Sequence, residues 1–411
     1  MSIVIDSMCG NQGITTIKGA GSDRGGSWSK MCLGAIAQGT ITAGSYWYAY
    51  PHVQATCPVN LRDPMCMMSI MGIALPLIIG SVGLAYAAQS LMKKPKVDVP
   101  LQVSSPTIIP VGGSPSFVAI TPNGKEALVT NASVDGDCFV SVINLVDNTV
   151  KTPIFLSHQG ESRGIAITPN GEEAVVSDGD TIFVINLKTN QIIGTIEGAE
   201  GGHIAITPQG TQAVAARESS VSVIDLLTNV VTATIPLGGQ SQVSHGVAIT
   251  PDGSRALVTN SAVRLNQHNV YIIDLLTNKV TQTIPVGTYE DSPKGVAVTP
   301  DGLKAVVASW NGTVSVIDLL LNKVTAVISM GDACGWPERV AITSDGSKAL
   351  VTGFFENLVY VLDLSTNVVV NTVSVGMGPQ GIAITPNDSE ALVVNHTDGT
   401  VSVLGFLMDL G

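Results

Sequence analysis

Gly246-Val-Ala-Ile-Thr-Pro-Asp-Gly253 decides how this chain is read, because near copies of it return down to the C-terminal end. The others are Phe117–Gly124 (FVAITPNG), Gly164–Gly171 (GIAITPNG), His203–Gly210 (HIAITPQG), Gly295–Gly302 (GVAVTPDG), Arg339–Gly346 (RVAITSDG) and Gly381–Asp388 (GIAITPND). The shared threonine recurs at steps of 47, 39, 43, 49, 44 and 42 residues. A period in the forties is what an architecture of stacked, few-stranded units produces. Only 4% of residues are aromatic and the apolar ones are mostly small or β-branched, which favours sheet over helix bundle.

Each unit reads as four short strands. The Gly-Val-Ala-Ile-Thr run is nearly continuous in apolar residues, so it is expected innermost and buried on both faces. Pro-Asp/Asn-Gly then turns the chain: proline sets φ, and glycine accepts φ > 0. A second strand follows, as at Ala256–Asn260, then an alternating third one, as at Val221–Asp225 and Val314–Asp318. After the third strand stand Asn148, Asn190, Asn229, Asn278, Asn322 and Asn367, the residue type that best replaces glycine at a left-handed turn position. A fourth strand, as at Val230–Leu237 and Val280–Val286, completes the unit.

The seventh unit stops after its third strand, Val401–Gly405. Ahead of the first, Thr107–Gly112 (TIIPVG) matches the fourth-strand endings TIPLG from Thr234 and TIPVG from Thr283. The expected fold is therefore an all-β, seven-bladed β-propeller of four-stranded blades, with a strand at about 106–112 completing the last blade and protecting the terminal edges. The LVTN runs at Leu128 and Leu257, LVTG at Leu350, the T-P-D/N-G turns and the VIDLLTN runs resemble the YVTN-repeat β-propeller family. That resemblance covers residues 106–406 and implies a seven-bladed propeller, often exported or at the surface of bacteria and archaea, and usually without assigned chemistry. The sequence departs from the pattern at Ser344 (proline expected), Asp388 (glycine expected) and Gln209 (Asp or Asn expected).

Ahead of the propeller, assigned to residues 106–411, the chain divides into a leader of unknown fold (1–64), an apolar segment (65–92) and a Lys- and Pro-containing linker (93–105). Residues 70–88 (IMGIALPLIIGSVGLAYAA) are long enough to cross a bilayer. Ala85-Tyr86-Ala87 fits signal-peptidase cleavage, which the long upstream leader opposes. A retained anchor needs no shorter leader, but Lys93, Lys94 and Lys96 against Arg62 would then hold the propeller in the cytoplasm by the positive-inside rule. A buried helix is the third reading. Membrane targeting with the propeller at the cell envelope, anchored or exported, is the expectation carried forward.

Charge is split between the two parts. Residues 101–411 hold 13 Lys/Arg against 28 Asp/Glu, which repels phosphate backbones and argues against duplex nucleic acid as a partner. No cysteine pair has zinc or redox-motif spacing, and neither a metal site nor a cofactor is predicted.

Two connections per unit are short and near-identical, whereas the fourth-to-first and second-to-third connections vary in length and chemistry. Function is expected on that variable face. Residues entering the innermost strands should ring the channel mouth: Ser116, Arg163, His203, His245, Lys294, Glu338 with Arg339, and Gln380. Convergent cations there suit a small anion. Trp310 and Trp336 lie in the variable loops, and Trp336 is the expected anchor for a protein partner. The binding set is thus Arg163, His203, His245, Lys294, Trp310, Trp336, Arg339 and Gln380, used by a non-catalytic platform. The alternative is a lactonase- or lyase-like enzyme at the channel mouth, with His203, His245 and Glu338 as acid–base groups.

Overall fold

The computed structural model describes residues 102–407, apart from 159, 161, 180, 200, 239–242, 263–266, 288–291 and 332–335, together with the short strands Val4–Ile5 and Ile17–Lys18. The chain divides into two units, Met1–Val97 and Asp98–Gly411. In the first, Val4–Ile5 pairs antiparallel with Ile17–Lys18. The apolar segment 65–92, with its signal and anchor readings, lies outside the described residues.

The second unit is a seven-bladed propeller, each blade an antiparallel meander. The second blade is typical, running Ser162–Ile167, Glu173–Asp178, Thr181–Asn186 and Gln191–Ile196 in spatial order. In the first blade the outermost strand is split into Thr149–Val150 and Ile154–Ser157, both paired with Cys138–Asn144. Pro153 stands in the gap and has no N–H to give the ladder. In the last blade, Thr107–Pro110 pairs with Thr400–Leu407 in the register Val401↔Ile109 and Ser402↔Ile108. Gln102–Val103 pairs further along the same strand, with Leu407 and Phe406. The linker expected over 93–105 is thus structured at its C-terminal end, because the long last strand offers ladder bonds beyond Thr107.

Burial is distributed differently from the expectation. The second and third strands are the ones covered on both faces, with Ala174, Val175, Val176, Val184 and Ile185 at zero exposure. Innermost strands such as Ser114–Ile120 are only partly buried after their first residues, since one side lines the axial channel. Outermost strands alternate exposed and covered residues, as in Val230–Pro236, with period two.

The T-P-x-G turns hold the uniform face together. Thr250 Oγ1 donates to Asp252 Oδ1 and accepts from the backbone N–H of Arg255 at 3.0 Å, while Gly253 N–H donates to Thr250 O at 2.8 Å. The two backbone N–H bonds recur in every blade, and the threonine-to-Asx bond in the first, second, fourth, fifth and sixth. The six turn asparagines after the third strands take φ of 52° to 58°, the left-handed conformation expected of them. Neighbouring turns also touch: a carbon added at Gly171, Gly210, Gly302, Gly346 or Gly124 would lie 3.1–3.6 Å from the Cδ of Pro122, Pro169, Pro251, Pro300 or Pro386 of the adjacent blade.

Where the motif departs from consensus, a polar contact replaces this packing. Asp388 keeps the left-handed φ of the missing glycine at 53°, and its carboxylate accepts from Ser344 N–H at 2.9–3.0 Å and from Ser344 Oγ. Proline at 344 could not make the first of these bonds. Gln209 likewise donates to Asp252 O, at 3.2 Å. The two substitutions at 344 and 388 are therefore one coupled change. Ser344→Pro is expected to lower the melting temperature by about 2–4 °C in the parent and to be neutral in an Asp388→Gly background. Equal effects in both backgrounds, measured by thermal denaturation, would show the positions to be independent.

Candidate functional site

Adjacent innermost strands come very close. At the fourth residue before the conserved threonine, a Cβ on Gly164, Gly246, Gly295 or Gly381 would lie 2.4–2.7 Å from a backbone atom of the next blade. Only glycine fits there. The same position in the remaining blades carries Phe117, His203 and Arg339, and no two of these are in neighbouring blades.

These three side chains meet across the axis. The Phe117 and His203 rings pack edge-on at 5.1 Å, and the Arg339 guanidinium sits 4.9 Å from the Phe117 centroid. Arg339 Nη1 donates to the carbonyl of His245 at 2.9 Å, and Nη2 lies 3.4 Å from the His203 ring nitrogens. One guanidinium thus ties the sixth blade to the third and fourth.

One residue earlier in each strand stand Ser116, Arg163, Gly202, His245, Lys294, Glu338 and Gln380. A register shift interrupts the ladder at this point in every blade except the third. Such bulges re-aim a side chain that strict alternation would send elsewhere. Lys294 Nζ reaches the His245 ring at 3.2–3.3 Å and lies 3.4 Å above the centre of Trp310. Trp310 Nε1 donates to Glu338 Oε1 at 2.7 Å, and Trp310 stacks on Trp336 at 4.4 Å.

Lys294 is 6% exposed and Glu338 9% exposed. No carboxylate of the described residues lies within ion-pair distance of Lys294 or Arg339. Burial, opposed by Glu338 and assisted by Arg339, lowers the Lys294 ammonium to about 8. Burial and the cations Arg339 and Lys294 hold both His203 and His245 well below the usual histidine value, so both rings are neutral at pH 7. Each of these two rings keeps some surface on the channel, yet the neighbouring cations act on them at short range.

The candidate residues separate on this geometry. The structure brings His203, His245, Lys294, Glu338, Arg339, Trp310 and Trp336 into one connected group. Arg163 joins His203 in lining a cavity of about 230 Å³ with Gly202, Ala216, Arg217, Glu218, Val243 and Ser244. Gln380 contributes its carbonyl, which accepts from Thr352 Oγ1 at 2.8 Å. His158, His268 and His396 bond elsewhere, to Asp137, Ser261 and the Pro115 carbonyl. A metal shared by His203 and His245 would face Arg339 and Lys294 with one nearby carboxylate, and among the described residues no group of three or more His, Cys, Asp or Glu converges. Phe117 went unremarked as a site residue, although it stands where four other copies of the motif have glycine.

Lys294 is held against its own stability. Between pH 8 and its unfolded value near 10.5 the unfolded chain binds the extra proton, so stability rises with pH there; below pH 8 the full penalty applies. Lys294→Met is therefore expected to raise the melting temperature by roughly 2–6 °C at pH 7. The gain should shrink as pH is raised from 8 towards 10. A melting temperature that falls at pH 7 would contradict this.

Comparison with other proteins bears on the fold. No family model and no curated protein matches the chain. Among solved structures, hydrazine synthase of Kuenenia stuttgartiensis superposes with a TM-score of 0.65 at 20% identity, covering 77% of this chain and 99% of that one. At that identity the likeness extends to the seven-bladed architecture.

Proposed function

We propose that the chain is a non-catalytic binding propeller that takes a small anionic ligand at the channel mouth of its variable face. One observation carries the reading: buried Lys294 and half-buried Arg339 stand beside two neutral imidazoles, no carboxylate of the described residues lies within ion-pair distance of either cation, and the nearby Glu338 accepts from Trp310. Buried cations are ordinarily paired. An anion at this point would be attracted by both cations, in a propeller whose residues 101–411 otherwise hold 28 Asp/Glu against 13 Lys/Arg in all. The cavity beside Arg163 suits an anion of few atoms.

The coupling to pH has a definite sign. An anion stabilises the charged form of Lys294, which is protonated below about pH 8, so binding takes up protons near that pH. Isothermal titration with acetate, phosphate and sulfate should show binding of at least one of them that tightens as pH falls from 9 to 7. Lys294→Met and Arg339→Met should each weaken it tenfold or more, about 1.4 kcal/mol. Affinity that grows with rising pH, or survives both substitutions, would remove the anion-site reading.

We further propose, from the apolar run at 70–88, that residues 65–92 tether or export the propeller. A reporter active only outside the cytoplasm, fused after Ser105, is expected to be active; signal from a cytoplasmic reporter alone would reverse the orientation.

A further inference from the structure

The anion site is continuous with an aromatic row that it does not need for charge. Trp310, under Lys294, stacks on Trp336 at 24° between planes; Trp336 meets Phe355 edge-on at 4.6 Å, and Phe355 meets Phe354 at 5.2 Å. These are both tryptophans of residues 101–411, in a chain that is 4% aromatic. All four come from the variable connections of the fifth and sixth blades.

A plain packing role explains part of this row and leaves two features over. Phe355 is 56% exposed at the outer end. Trp336 holds a left-handed backbone, φ 42°, which is unfavourable for an aromatic residue and is kept only where the surroundings impose it. Trp310 and Trp336 are both half-buried, Trp310 with Lys294 over its ring, and the most accessible apolar surface of the row is that of Phe355. The cavity on the opposite side of the mouth is lined by Arg163, Arg217 and Glu218 together with Ala216 and Val243, and no Trp or Phe is among its lining residues.

We infer that the ligand is a carboxylate carried on a planar apolar body, with the carboxylate at Lys294 and Arg339 and the body laid on Trp336 and Phe355. This rests on the anion-site reading and adds the class of compound. The charge at one end rejects neutral and cationic ring compounds, which would leave the buried cations uncompensated. The aromatic end discriminates against bare anions, because a ring on Trp336 and Phe355 gains both burial and ring–ring contact.

The test is isothermal titration of the full chain with acetate, indole-3-acetate, indole-3-acetamide and tryptamine. Indole-3-acetate should bind about tenfold or more tightly than acetate, and the amide and amine should bind far more weakly than the acid. Phe355→Ala, at an exposed side chain whose loss leaves the core untouched, should bring indole-3-acetate to within about threefold of acetate without changing acetate itself. A peptide ending in a free tryptophan carboxylate supplies the same chemistry; tighter binding than indole-3-acetate assigns the ligand to a polypeptide end, weaker binding to a free acid. Equal affinity for acetate and indole-3-acetate overturns the inference while leaving the anion site standing. Tight binding of the amide, or a tenfold preference that survives Phe355→Ala, overturns it too. Absence of binding by any anion removes both readings together.

Discussion

The close approach of neighbouring innermost strands governs the rest of this molecule. Near the axis the blades converge until a Cβ on Gly164, Gly246, Gly295 or Gly381 would overlap the next blade's backbone. The larger residues at this position occur only in blades that are not neighbours. They are Phe117, His203 and Arg339, and they meet on the axis. A steric rule of the scaffold thus places the few residues with chemistry into contact with one another.

Electrostatics follow from that placement. Lys294 and Arg339 lie in a low-dielectric throat, where each raises the free energy of the other and suppresses protonation of His203 and His245. Stability alone would favour apolar residues at these positions. The anion proposed for this site would offset that cost, and the aromatic row ending at Phe355 is the surface proposed for its apolar body.

The opposite face shows the same repeat used for cohesion. Proline-on-glycine contacts join five of the seven pairs of neighbouring turns; between the third and fourth blades Gln209 bonds to Asp252 O, and between the sixth and seventh Ser344 bonds to Asp388. A departure from consensus is therefore not a mark of function by itself. The pair 344 and 388 compensate each other locally, whereas the departures Phe117, His203 and Arg339 in the first position of the motif converge on the axis.

The sequence by itself determined the number of units, their strands and turns, and the face on which chemistry varies, because those features arise from local periodicity, fixed turn dihedrals and repetition every forty-odd residues. The left-handed asparagines and the T-P-x-G turns were legible for that reason. Membership of the mouth was legible for most residues, since position within a repeat maps onto position around a ring. Tertiary structure alone decided which of them touch. Arg339 bonds to His245, 94 residues away, and approaches His203 at a separation of 136. Burial was also settled there: the innermost strand reads as the most apolar, yet it faces a channel, and the doubly covered strands are its neighbours. Such contacts depend on the radius at which seven blades close, a global dimension that no window of local sequence encodes.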